Sequence, residues 1–246
     1  IGWSKNFIKR LIFKYCLRLA DKVMVNSIEF KYEIKKEFGV KAVCIYNPLN
    51  YYEIIKKSKI RKHKIFSNKK NLKIINVGRF TDQKDQITLL KAINLIKNKI
   101  KIELVIIGRG LLKYKLLNFI KKNNLKKFVK IINFTENPFP YIKQSEVFIL
   151  SSKFEGLPNV LLESIALNKF VISSSCKTGP KEILINGKGG LLFKVGDYNQ
   201  LSKKIIYYSK NKKKCLLMLK KSIKGLSRFD YNKNLNKYLH FIESIK

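Results

Sequence analysis

The sequence has 246 residues, 46% hydrophobic and 28% charged, with 53 Lys and Arg against 16 Asp and Glu and a formal net charge of +37. At roughly 100–200 residues per domain, so much apolar content can bury a substantial core, which excludes a disordered polycation. About a quarter of an average globular chain is charged, so only the sign is unusual, and it points toward partners that carry phosphate.

The basic residues run along the whole length, and only six of them are Arg: Arg10, Arg18, Arg61, Arg79, Arg109 and Arg228. A nucleic-acid module concentrates charge on one face and uses Arg for bidentate contacts. Dispersed Lys reads instead as a solvated basic surface, so nucleic acid is not the expected partner, although a basic nucleic-acid-binding protein is the alternative class. Cys16, Cys44, Cys176 and Cys215 lie far apart without a CxxC pair or a nearby His, which predicts free buried thiols in a reducing compartment, and no metal site. The longest apolar runs, such as Leu104 to Ile107, fall far short of the ~20 residues that span a bilayer. The sequence starts at Ile1 without a signal-peptide pattern, and it is expected to begin partway through a longer cytoplasmic chain.

In chain order, short β-branched runs alternate with longer amphipathic stretches. Strands are predicted at Lys22–Asn26, Ala42–Tyr46, Leu72–Val77, Ile102–Ile107, Val129–Ile132, Val147–Leu150, Phe170–Ser174 and Gly190–Phe193. Helices are predicted near residues 5–20, 28–38, 84–97, 111–123, 158–167, 179–185, 197–209, 212–226 and 231–245. The strands are nearly continuous apolar runs, as expected where both faces are covered. The alternation predicts an α/β fold with a Rossmann-like, doubly wound parallel sheet whose ligands gather at the carboxyl ends of the strands. Asn47-Pro48 closes a strand, and the basic, polar stretch that follows to Asn71 reads as a connector into a second domain. Residues 1–46 supply two strands and two helices, too few to stand alone.

Four strand-to-helix junctions could carry chemistry. In Ser151-Ser152-Lys153-Phe154-Glu155-Gly156-Leu157-Pro158-Asn159-Val160-Leu161-Leu162-Glu163, a strand feeds a loop and then a helix. Pro158 suits a first helical turn, Gly156 permits close backbone approach, and the free N–H groups of the helix start suit an anion or a polar sugar. Glu155 in the loop and Glu163 in the helix could reach one ligand from two sides. Each also has a purely structural reading, as a charge at the helix start and an exposed helical acid. In Val77-Gly78-Arg79-Phe80-Thr81-Asp82-Gln83-Lys84-Asp85, Arg79 and Lys84 could stand over the same crevice and neutralise a diphosphate, with Asp82 or Asp85 capping the next helix. Gly108-Arg109-Gly110 and Thr178-Gly179-Pro180-Lys181-Glu182 mark two further turns, the latter another cluster of anion-facing amides. His63 and His240 read as surface residues.

Taken together, Arg79 with Lys84, the Gly108/Gly110 turn and the Glu155-x7-Glu163 block resemble the donor half of the family 4 retaining glycosyltransferases of GT-B architecture. The resemblance runs from about Asp21 to the end and includes Ser27, Ile45-Tyr46-Asn47-Pro48, Gly179-Pro180-Lys181-Glu182-Ile183, Gly189-Gly190-Leu191-Leu192 and Gly196-Asp197. It implies that residues 1–47 end an acceptor domain, 48–71 connect, 72–230 bind the nucleotide-sugar donor, and 231–246 return as a helix to the first domain. Arg79 and Lys84 would bind the pyrophosphate and stabilise the departing nucleoside diphosphate. Glu163 would hold the ribose hydroxyls and Glu155 the donor sugar, with Gly156, Leu157 and Asn159 lining the pocket. Gly108 and the segment Ile132-Asn133-Phe134 would complete it beside the base.

The family often has Gly where Asp85 and Asn133 stand. No cofactor or metal is implied, since cations and the helix start take that role. The implied reaction moves a sugar, often a UDP-linked hexose or N-acetylhexosamine, to a glycan or lipid-linked acceptor in bacterial surface polysaccharide synthesis. The protein would work in the cytoplasm, with its charge favouring peripheral contact with an anionic inner membrane. Without the rest of the acceptor domain these residues are expected to turn over little, and an inactive truncated remnant is a further reading.

Overall fold

The computed structural model describes residues 7–60 and 62–245. The first residues of the helix expected at 5–20, Arg61 in the connector and the last residue of the expected 231–246 stretch lie outside them.

Helix α1 (Phe7–Leu19) leads into β1 (Val23–Val25), α2 (Ile28–Phe38) and β2 (Ala42–Cys44), and the two strands pair in parallel as a separate small sheet. Ser27 caps α2 by accepting from the Phe30 N–H at 3.1 Å, and Gly39 closes it in the left-handed region at φ 70°. Such side-chain capping satisfies an N–H that has no carbonyl partner within the helix. Val25, Ile34, Phe38 and Ala42 form a small core of their own.

The region expected as an irregular connector contains a helix, α3 (Tyr51–Ser58), capped by Asn50. Then follow β3 (Leu72–Val77), α4 (Gln86–Ile96), β4 (Ile102–Gly108), α5 (Lys113–Lys122), β5 (Val129–Asn133), α6 (Phe139–Gln144), β6 (Val147–Leu150), α7 (Asn159–Ala166), β7 (Phe170–Ser174), α8 (Pro180–Ile183), β8 (Leu191–Phe193), α9 (Tyr198–Lys210), α10 (Lys212–Gly225), a 3-10 turn at Leu226–Phe229, and α11 (Tyr231–Glu243). The short α6 was not anticipated either.

The six strands β3 to β8 form one parallel sheet in the order β5-β4-β3-β6-β7-β8, the doubly wound arrangement the alternation predicts. Strand β4 is buried along its whole length, as an interior parallel strand covered by helices on both faces should be. Each fully buried Ile or Leu in it contributes about 1.5–3 kcal/mol relative to exposure. The winding reverses between β3 and β6, which pair only at Ile74 with Val147 and Ile75 with Phe148. Beyond that pair the buried Asn76 bridges the strands, donating to the Ile149 carbonyl at 2.8 Å. The crevice of such a sheet opens at this reversal point, and Gly78-Arg79 and Ser151-Ser152 leave the sheet on its two sides.

Two thiols, Cys176 and Cys215, are buried as expected, but Cys44 is half-buried and Cys16 is exposed because α1 buries none of its residues. His63 and His240 are exposed.

Candidate active site

The end of β3 places Arg79 at the crevice. Gly78 meets the end of β4 so closely that a Cβ on Gly108 would lie 2.0 Å from the Gly78 carbonyl oxygen, so only glycine fits at Gly108. Gly78, Arg79, Gly108, Arg109, Phe134, Thr135, Glu136, Phe139 and Glu163 line a cavity of about 390 Å³. The expected residues Arg79, Gly108, Phe134 and Glu163 therefore come together from β3, β4, the loop after β5, and α7.

Glu163 is not the exposed acid of its structural reading. It sits about one turn inside α7, and among the described residues no hydrogen bond or ion pair holds it. Burial alone pushes its carboxyl up to about 7, because removing a carboxylate from water penalises the charged form. It is thus poised to accept hydrogen bonds from a ligand while its own surroundings supply none.

Glu155 and Lys84 do not line that cavity. They face each other: Lys84 Nζ donates to Glu155 Oε1 at 2.6 Å, with 17% and 7% of the two side chains exposed. In the empty site Lys84 is therefore matched by an internal carboxylate. Two exposed arginines, Arg79 and Arg109, line the crevice, and the Arg79 carbonyl accepts from Gln86 Nε2 at 3.0 Å. Gly156 and Leu157 continue the loop of Glu155 and also lie outside the cavity lining. Asn159 lines a neighbouring recess of about 220 Å³ that shares Glu163 and Phe139 with the main cavity.

Asn133 does not line the main cavity; it is exposed and accepts from Lys113 Nζ at 2.7 Å. Asp85, where the resembled family often has Gly, caps α4 from the left-handed region at φ 43°, accepting from the Thr88 N–H at 3.4 Å and the Thr88 hydroxyl at 2.7 Å. Glycine enters that region without cost and Asp tolerates it, which accounts for both residues at one position.

Close backbone approach occurs at Gly156, but the residue that requires it is Gly179. At φ 87°, a Cβ on Gly179 would lie 2.3 Å from the Gly156 carbonyl oxygen, whereas one on Gly156 would meet only the Asn26 amide at 3.4 Å. Thr178 Oγ1 donates to the Glu155 carbonyl, fixing the same loop from below. The amide cluster expected at 178–182 does face an anion, and that anion is internal: the Gly179 N–H donates to Glu29 Oε2 at 2.9 Å. Burial, partly offset by that hydrogen bond, raises the Glu29 carboxyl. Glu182 in turn accepts from the Ile28 N–H at 3.0 Å and from the Tyr46 hydroxyl.

Sequence reading gave Arg109 no side-chain role. Its guanidinium lies 4.3 Å over the Phe134 ring, forming one wall of the cavity. The rarity of Arg in this chain was the available signal. Thr135, Glu136 and Phe139 had none, because they belong to a loop and a six-residue helix without periodicity. Among the described residues no group of three or more His, Cys, Asp or Glu is placed to hold a metal ion, and no helix is long and apolar enough to cross a membrane.

Arg79, the half-buried Glu163 and the Arg109–Phe134 wall thus meet at the reversal point of a doubly wound sheet, the place where such sheets bind ligands. The sequence profile of the glycosyl transferases group 1 matches residues 57–225, and the chain belongs to that family. It is 38% identical over 181 residues to an uncharacterized glycosyltransferase of Methanocaldococcus jannaschii, covering 71% of this chain and 44% of that protein. It is 31% identical over 208 residues to N-acetylgalactosamine-N,N'-diacetylbacillosaminyl-diphospho-undecaprenol 4-alpha-N-acetylgalactosaminyltransferase of Campylobacter jejuni, covering 82% of this chain and 55% of that one. The chain thus spans about half the length of the curated relatives it matches. Among solved structures, Anabaena Alr3699/HepE in complex with UDP and glucose superposes with a TM-score of 0.84 over 96% of this chain and 67% of that one, at 18% identity, a likeness of fold.

Proposed function

We propose that this chain is the nucleotide-sugar-binding half of a glycosyltransferase that moves a sugar, with retention at the anomeric carbon and without a metal, to a glycan or lipid-linked acceptor in surface polysaccharide synthesis. The observation that carries the reading is the meeting of Arg79 and Glu163 in one cavity at the sheet reversal, with the Lys84–Glu155 pair beside it. Among the described residues the Glu163 carboxylate has no other partner, and it would accept from the ribose hydroxyls. Arg79 would take the diphosphate, aided by the α7 start, which no side chain caps. Lys84 would exchange Glu155 for phosphate oxygens, and the carboxylate so released would be free to accept from sugar hydroxyls. Cations at the departing diphosphate stabilise the charge that develops as the glycosidic bond breaks. A UDP-linked hexose or N-acetylhexosamine is the favoured donor, supported by the UDP complex of the structural relative and the N-acetylgalactosaminyltransferase activity for which the Campylobacter relative is named.

The proposed organisation keeps residues 1–47 as the end of an acceptor domain, 48–71 as the connection, 72–230 as the donor domain and 231–246 as the returning helix. Two observations support it: the small sheet is separate from the large one, and the two crossings meet where Leu49 pairs with Asp230 and the Tyr46 ring lies 4.7 Å from that of Phe229. Turnover by these residues alone should be slight. Placement on the cytoplasmic face of an anionic membrane is part of the same reading, supported by the charge of +37.

Calorimetry with UDP-sugars, GDP-mannose and ADP-glucose tests the assignment. Binding that Arg79→Ala and Glu163→Ala each abolish is expected, and it should survive a chelator; binding untouched by both substitutions defeats the residue roles.

A further inference from the structure

Three amide side chains from three separate elements form a row beside the cavity. Asn26 follows β1, Asn47 lies three residues beyond β2, and Asn159 opens α7. Asn26 Nδ2 donates to Asn47 Oδ1 at 3.3 Å, and Asn47 Nδ2 donates to Asn159 Oδ1 at 2.7 Å. The row passes over the Glu155 loop, since the Asn26 amide is the neighbour a Cβ on Gly156 would meet.

The helix at its far end lacks a side-chain cap, as α5, α6, α8 and α10 also do. Helix α7 begins after Pro158, which offers no side-chain acceptor and has no N–H of its own, so the first turn enters the crevice with no side-chain cap. A turn without a cap frays unless something else holds it. Here the Asn159 side chain is held from outside the helix by Asn47.

We propose that Asn47 is a positioning residue for nucleoside-diphosphate binding: through Asn159 it fixes the uncapped first turn of α7 against the small amino-terminal sheet, so that diphosphate binding and attachment of that sheet strengthen each other. This rests on the donor-site reading above. Anchoring the sheet is not a sufficient role for the row, because the same sheet region has other attachments. Glu29 accepts from the Gly179 N–H at 2.9 Å, Glu182 from the Ile28 N–H at 3.0 Å, and Glu33 from Lys177 at 2.8 Å. Those contacts land at or just before α8, whereas Asn47 lands on α7. Coupling between two binding events is reciprocal, so whatever loosens the small sheet at Asn47 must also weaken the diphosphate site.

The test measures UDP binding by calorimetry and uridine binding by ligand-observed NMR, on the unmodified chain, Asn47→Ala, Asn159→Ala and the double variant. One lost hydrogen bond predicts a UDP affinity about three- to tenfold weaker in each single variant. The double variant should be no weaker than the worse single one, since both remove the same link. Uridine, which lacks the diphosphate, should bind all four alike. Unchanged UDP affinity in Asn47→Ala overturns the proposal, as do losses that add in the double variant or a fall in uridine binding that matches the fall in UDP binding. Should Asn47→Ala not fold, Asn159→Ala at an exposed residue carries the same expectation. An unmodified chain that does not bind UDP overturns the proposal together with the reading beneath it, an outcome distinct from the others.

Discussion

Glu155 and Glu163 stand eight positions apart in one loop-helix segment, yet the fold treats them oppositely. Glu155 is buried against Lys84 and its loop is pinned through Thr178 and Gly179. Glu163 is half-buried; among the described residues its carboxylate has no hydrogen-bond or ion-pair partner, and burial raises its carboxyl to about 7. The difference teaches that one half of the crevice stores its charge as an internal pair while the other half keeps its acceptor unsatisfied. Under the proposed function, a ligand would displace a partner in the first case and supply one in the second.

The largest effect should come from breaking the stored pair. Lys84→Ala leaves Glu155 buried without its cation, a loss of about 3–5 kcal/mol, to be read from denaturant unfolding at pH 7. A loss below about 1 kcal/mol would mean that water reaches Glu155 and that the two acids are less different than they look. The next effect has the opposite sign. Because the folded-state carboxyl of Glu163 titrates above its unfolded value, the native state holds its proton between about pH 4.5 and 7, and stability falls as pH rises through that window. Glu163→Gln removes this penalty, so it should stabilise the protein by up to about 3 kcal/mol at pH 8 and hardly at pH 4. Thermal melts across that range would show the gap closing as pH falls, and a gap independent of pH would refute the idea. The smallest expected effect is that of Thr178→Val, which removes the hydroxyl donor to the Glu155 carbonyl and should cost about 1 kcal/mol. It should also weaken sugar-nucleotide binding more than binding of the bare nucleoside, since only the Glu155 side is loosened.

Much of this was legible in the sequence because the architecture depends on local pattern. Runs such as Leu72–Val77 and Val147–Leu150 are short, rich in β-branched residues and bounded by turn signals, which reads as covered strands, and the glycines and prolines after them mark the turns at which the crevice opens. Helices α3 and α6 were not legible. The first, Tyr-Tyr-Glu-Ile-Ile-Lys-Lys-Ser, is eight residues in a basic stretch, and the second has six with Pro140 inside its first turn. Neither is long enough for a 3.6-residue period to rise above noise. In the site, Arg79 and Glu163 could be named from motif position, and the cavity joins them. What could not be named were relations across the fold: Lys84 turned onto Glu155, Arg109 laid over Phe134, Glu29 reaching Gly179, and the three asparagines in a row. Each joins residues that are distant in sequence, and no periodicity encodes such a meeting.

The four thiols differ in a way that experiment can exploit. Burial pushes Cys176 and Cys44 up to about 11 and raises Cys215 as well, while Cys16 stands exposed on α1. Reactivity follows the thiolate and its access, so a maleimide dye near neutral pH should mark Cys16 first, in the unmutated chain. One fluorophore would then ride on the amino-terminal helix, and its anisotropy would report whether that helix tightens when a nucleotide enters the crevice.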